Sequence, residues 1–191
     1  MSIAPWRSHL ANALKKNRSE PHSRYFQLAT VRSDGTPANR TVVFRGFIED
    51  TNNLKIITDI RSEKITEIHH NSWAEICWYF TNSREQFRIA GNIIIIDGDR
   101  KESELLKVRE LTWQELSDNA RIQFGWAHPG EPTNPEAFSP PQPDQVKPLD
   151  HFCLLLFEPV KVDYLRLRGL QNRNIYVRDE TGVWDVSEVN P

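Results

Sequence analysis

The chain has 191 residues, 38% of them hydrophobic, and a formal net charge of −2. That length suits one domain with a sizeable core. The near-neutral balance argues against a general nucleic-acid binder, which needs a basic surplus. No apolar run approaches the ~20 residues of a membrane helix; the longest, Ile93 to Ile96 and Phe152 to Phe157, are strand-sized. The N-terminus places its charges after its apolar residues and lacks a signal peptide's apolar stretch. Cys77 and Cys153 each lie in an apolar run with no Cys or His at ligand spacing. This predicts buried free thiols in a reducing cytoplasm and no metal site.

In chain order, Pro5 to Lys16 reads as a helix within an N-terminal segment 1–20. Pro5 suits a first turn, and Trp6, Leu10, Ala13 and Leu14 fall on one face. Tyr25 to Val31 is rich in β-formers, Ser33-Asp34-Gly35-Thr36 is a hairpin turn signal, and Pro37 to Ile48 is predicted to return antiparallel. In that return, Arg40, Val42 and Phe44 point one way and Thr41, Val43 and Arg45 the other. Leu54 to Thr58 is a third strand. Ser62 is placed to cap a helix through Ile65 and Ile68 to about His70. Side chains of His69 and His70 diverge on a helix, which makes them a poor metal clamp.

Trp73 to Phe80 and Arg84 to Ile96 form a second hairpin. Gln86 and Arg88 share one of its faces: they either read the edge of a heterocycle or face solvent. Ile93 to Ile96 lacks alternation, as in a strand covered on both faces or at a subunit contact. Asp99 to about Phe124 is helical in two pieces, with a capping box at Thr112-Trp113-Gln114-Glu115 predicted to open the second. Ala127 to Pro148 holds seven of the 12 prolines, so the loop 127–150 is either a functional cover or mobile. Strands resume at His151 to Leu167, Asn174 to Arg178 and Val183 to Val186. Arg166 and Arg168 are expected on one strand face, and Arg173 in a turn, aimed inward. The whole chain, 1–191, is predicted to be one domain, mainly β with peripheral helices: an antiparallel Greek-key barrel.

Arg40, Arg45, Arg61 and Lys64 put four cations near the helix start at Ser62. Backbone N–H groups and the helix dipole there favour an anion such as phosphate; the alternative is a hairpin with solvated charges.

Three stretches, Arg40-Thr41-Val42-Val43-Phe44-Arg45, Thr58 through Ser62 to Lys64, and Arg84-Glu85-Gln86-Phe87-Arg88-Ile89-Ala90-Gly91, resemble in order and spacing the pyridoxamine 5'-phosphate oxidase-like family of FMN-binding split barrels. The resemblance runs from about Phe26 to Tyr176. It implies a homodimer with one FMN at each of two subunit-interface clefts. It places Arg40 on the FMN phosphate and the backbone of Thr41, Val42, Val43 and Phe44 along the flavin ring. Arg45, where the oxidase has lysine, is expected at substrate or flavin. Thr58, Ser62 and Lys64 match a second phosphate-binding group, Gln86 the ring edge, and Arg173 an arginine near the flavin.

There are departures. Glu63 replaces an arginine, with Arg61 as the compensating cation. Gly169 and Gln171 stand where the oxidase frames the pyridoxal ring with arginine and histidine. Arg121 alone is a candidate for the helical substrate-phosphate group. These departures point away from pyridoxamine 5'-phosphate bound in the usual way. The main expectation is an FMN-dependent oxidoreductase acting on a small molecule, with His128 a conceivable general base. The alternatives are a flavin carrier or sensor that covers the ring, and a haem-binding barrel, for which neither His69-His70 nor His151 is a persuasive ligand.

Overall fold

A computed structural model describes residues 3–133 and 135–191. Helix α1, Trp6–Lys16, buries Trp6, Leu10 and Ala13, and Leu14 packs against the same core. Strands β1, Tyr25–Val31, and β2, Pro37–Val43, pair antiparallel. Asp34 closes their turn, its carboxylate accepting from the Thr36 amide at 2.9 Å. The strand expected to run to Ile48 stops at Val43. Beyond it the chain turns toward β3, Leu54–Asp59. The Arg45 amide donates to Lys55 O at 2.9 Å, the Lys55 amide to Gly46 O at 2.8 Å, and Gly46 has φ +98°, a conformation that glycine adopts without a Cβ penalty.

The remaining strands are β4, Trp73–Phe80, β5, Glu85–Ile96, β6, Phe152–Arg166, β7, Asn172–Arg178, and β8, Trp184–Val189. All pair antiparallel, in the order β2-β1-β4-β5-β6-β7-β8, with β3 also on β6. The 15 residues of β6 set the architecture. Phe152 to Phe157 carries β3, Lys161 to Arg166 supports β7, and β5 lies along both parts. The division falls at the Gly91–Pro159 pair, beside a register shift. Pro159 has no N–H for the ladder. A Cβ on Gly91 would lie 2.1 Å from Glu158 O, so only glycine lets the two backbones meet. The antiparallel sheet therefore curls without closing, as a split barrel. Ile93 and Ile95 pack on the main core, whereas Ile94 and Ile96 join Leu154, Leu156, Leu105 and Val108. That run is covered on both faces.

Helices α2, Glu63–His70, α3, Ser103–Gln114, and the short α4, Asp118–Arg121, lie outside the barrel. The proposed capping box does not open a helix. Thr112 is buried inside α3, and its hydroxyl donates back to Val108 O at 2.7 Å, the usual bond of a mid-helix threonine. The break comes later, and Ser117 is the N-cap of α4. Arg168 falls beyond the end of β6, so it shares no strand face with Arg166.

Candidate cofactor and substrate site

The end of β3, the start of α2 and the strand β2 converge on one cavity of about 510 Å³. Thr58, Ser62 and Lys64 meet there because a tight strand-to-helix turn separates them. Lys64 Nζ donates to Thr58 Oγ1 at 2.9 Å and to Ser62 Oγ at 2.5 Å. Ser62 occupies the N-cap position with extended backbone, but its hydroxyl serves Lys64 rather than a helix amide. No carboxylate lies within ion-pair distance of Lys64 among the described residues. Burial, and then the neighbouring Arg40 charge, push the Lys64 ammonium below the ordinary lysine range; Glu67 and Asp59 pull the other way. A desolvated cation that lacks an acidic partner is primed for an anion from outside.

Arg40 approaches from β2. Its Nη1 donates to Leu28 O at 3.3 Å and to Thr30 Oγ1, and its Nη2 to Glu67 Oε2 at 2.6 Å. A guanidinium has five N–H donors, so Nε–H and one Nη2–H remain for a ligand oxygen. Glu67 is buried, 3% exposed. Burial opposes its charge, yet the Thr30 hydroxyl and Arg40 outweigh that and hold its carboxyl below the usual range.

Thr41, Val42, Val43 and Arg45 also line the cavity. Burial lowers the Arg45 guanidinium from its ordinary value. Phe44 instead points into the core, 5.0 Å from both Phe47 and Trp78 ring to ring. The opposite wall comes from Gln123, Phe124, Trp126 to Thr133, and Phe138. Arg61 pins this wall. It grips the Asp59 carboxylate through Nε (2.9 Å) and Nη2 (2.6 Å), and Nη2 also donates to Trp126 O at 3.1 Å. The start of the proline-rich loop is thus part of the site, and His128 lines it with Nδ1 2.9 Å from Pro129 O.

Three expected residues lie elsewhere. Arg121 is buried against the C-terminus of α3, donating to Trp113 O at 3.3 Å and to Asp118 Oδ1 at 2.5 Å. Gln86 and Arg173 fall on one cross-strand row, Tyr79–Gln86–Leu165–Arg173. Phe87 and Ile89 face the core, so this row lies on the other side of the sheet. Arg173 is held there by Asp163, at 3.0 and 2.9 Å, and Asp163 also binds Arg88 at 2.5 Å.

Glu67, Thr30 and the Trp126 wall were not among the expected site residues. Glu67 was findable, three residues beyond Lys64 on the same helix face; Thr30 depends on the β1–β2 register.

Cationic and hydroxyl donors at one end, with apolar β2 and aromatic walls beyond, fit a phosphate joined to a flat ring. The fold and site together define an antiparallel split barrel built for a nucleotide-like cofactor. The chain belongs to the pyridoxamine 5'-phosphate oxidase family, and FMN is the cofactor of that family's domain. A family profile described as pyridoxamine 5'-phosphate oxidase, FMN-binding domain, matches residues 3–97. The Arabidopsis thaliana protein named pyridoxine/pyridoxamine 5'-phosphate oxidase 2 is 42% identical over 199 residues, 99% of this chain and 98% of that one. A crystal structure of a pyridoxamine 5'-phosphate oxidase-related, FMN-binding protein from Nostoc punctiforme superposes with a TM-score of 0.97 at 54% identity, covering 100% of both chains. PhzG from Burkholderia lata shares the fold, with a TM-score of 0.76 at 19% identity over 99% of this chain and 98% of that one.

Among the described residues no helix is long and apolar enough to cross a membrane, and no group of three or more His, Cys, Asp or Glu side chains is placed to hold a metal ion.

Proposed function

We propose that the protein is an FMN-dependent oxidoreductase acting on a small molecule. The observation that carries this is Lys64, half-buried between two hydroxyls and without a counter-ion among the described residues, in a cavity it shares with Arg40. Lys64, Ser62, Thr58 and the free edge of Arg40 bind the FMN phosphate through charge-assisted hydrogen bonds. The backbone of Thr41, Val42, Val43 and Phe44 runs beside the ring. Bound flavin supplies two-electron redox chemistry, and the chain binds, orients and shields it.

Arg45 is the cation left to face substrate. Arg121, also expected there, reaches the site only by giving up its bonds at the end of α3. Gln86 and Arg173 face away from their own chain's cavity, which favours a homodimer whose partner site they complete at the interface. Exposed Trp73 and Tyr79 on β4 give that face apolar surface to bury. Both cysteines are free, Cys153 buried as expected and Cys77 only half-buried, and free thiols suit a cytoplasmic setting. Gly169 and Gln171 favour a substrate other than pyridoxamine 5'-phosphate held in the usual pose.

The test is a flavin titration followed by anaerobic stopped-flow mixing. Wild type is expected to bind one FMN per chain, and Arg40→Ala to bind it much more weakly. A panel of amines and alcohols is expected to contain one that bleaches the bound flavin, with pyridoxamine 5'-phosphate slow. A chain that binds no FMN overturns the proposal.

A further inference from the structure

Glu67 is a buried acid that backs Arg40 from outside the cavity lining, and the binding scheme leaves it without a task. Its Oε2 accepts from Arg40 and, at 2.5 Å, from the Thr30 hydroxyl. Its Oε1 is buried without a hydrogen-bond partner among the described residues, with Arg32 Nε 3.8 Å away. A carboxylate oxygen left bare in the interior is costly, and a hydrophobic or amide side chain would avoid the burden. The charge must therefore act on something. Three cations are close: Arg40 directly, Arg32 at 3.8 Å, and Lys64, three residues away on the same face of α2. The Arg40 charge disfavours that of Lys64, as like charges do in a partly desolvated site.

We infer that Glu67 is an internal counter-anion: it holds Arg40 and offsets the Arg40–Lys64 repulsion when no phosphate is bound, and its charge opposes the cofactor phosphate once one is. This rests on the FMN reading of the same site. It makes Glu67 a positioning residue that stabilises the flavin-free fold at the expense of cofactor affinity, so flavin leaves more readily than the cations alone would allow.

Glu67→Gln separates the two effects, because the amide oxygen still accepts from Arg40 and Thr30 while the charge is gone. Full-length protein freed of flavin is titrated with FMN and, separately, with riboflavin, which has the ring but no phosphate. E67Q is expected to melt lower than wild type without flavin, to bind FMN on the order of tenfold more tightly, and to bind riboflavin unchanged. A merely structural glutamate would weaken both flavins together. If free E67Q melts too low to titrate, the comparison is read from the ligand-induced rise in Tm: larger than wild type with FMN, equal with riboflavin. FMN binding that weakens or stays the same in E67Q overturns the inference, as does a parallel shift for both flavins. Wild type that binds neither flavin overturns the FMN reading itself, which is a different outcome.

Discussion

Replacing Lys64 by methionine isolates what a counter-ion-free lysine does. Methionine keeps much of the volume and removes the charge. If Lys64 donates to the FMN phosphate, the change loses one charge-assisted hydrogen bond, about 1.5–3 kcal/mol, or roughly a 10- to 150-fold weaker Kd. Riboflavin binding is expected to be equal in the two proteins. The flavin-free fold responds differently. Lys64 gives up two bonds to hydroxyls, 2.9 and 2.5 Å long, each worth about 1 kcal/mol net. It also sheds a half-buried charge that its surroundings disfavour on balance, since desolvation and Arg40 outweigh Glu67 and Asp59. The two terms are comparable, so the flavin-free Tm should hold within a few degrees or rise. Fluorescence titration with both flavins and thermal melts of the flavin-free chain measure all of this. An unchanged FMN Kd would remove Lys64 from the phosphate. A steep fall in Tm would show that the lysine is structural and that its charge is compensated after all.

The same residue should leave a mark on pH dependence. Its folded pKa lies below its ordinary value of 10.5, so between the two the unfolded chain binds more protons and stability rises with pH. The difference between wild-type and K64M melting curves should show that rise over the window and flatten below it. Gly91→Ala should disrupt the barrel at its split, because the new methyl would meet Glu158 O at 2.1 Å; a loss of about 3 kcal/mol or more is expected in denaturant unfolding. Asp163→Asn should lower Tm at neutral pH by on the order of 5 °C. Burial opposes the Asp163 charge, but Arg173 and Arg88 hold its carboxyl below the ordinary 3.8. Its contribution is therefore present above that value and lost as pH falls through the lower folded pKa, so the gap to wild type should close in acid.

Much of the fold was legible because strands announce themselves locally. Tyr25–Val31 and Trp73–Phe80 were bounded correctly by β-forming residues and turn signals alone. The misses share a cause: a distant partner decided them. Val43 ends β2 because Gly46 and Arg45 bond to Lys55, a contact no local pattern encodes. Thr112 carries a capping signature, yet its burial in α3 turns the hydroxyl inward. The site divides the same way. Thr58, Ser62 and Lys64 lie within one strand-to-helix turn, so their meeting could be read from spacing. Thr30 enters through strand register, and the Trp126 wall through Arg61. The first needs the β1–β2 pairing, and the second needs the loop after Phe124 to return to β3. Gln86 and Arg173, read separately in the sequence, are put in one row by strand pairing, and a single chain turns that row away from its own cavity.

The cations of this protein differ less in position than in what already satisfies them. Arg109 is buried and ends on the carbonyls of Phe152 and Leu149. Arg121 ends on Trp113 O and Asp118, and Arg61 on Asp59 and Trp126 O. Each of these holds two segments together, and a ligand would have to compete with bonds the fold already makes. Arg40 is committed on one edge only, and Lys64 to hydroxyls alone. A phosphate entering at the strand-to-helix turn therefore meets Arg40 and Lys64, while Arg45, also in the cavity lining and without an ion pair among the described residues, is left for the rest of the ligand. That selectivity follows from where the carboxylates are. Asp59 takes the arginine beside the wall and Glu67 takes half of the arginine on β2. The lysine on the turn between them keeps no carboxylate partner among the described residues.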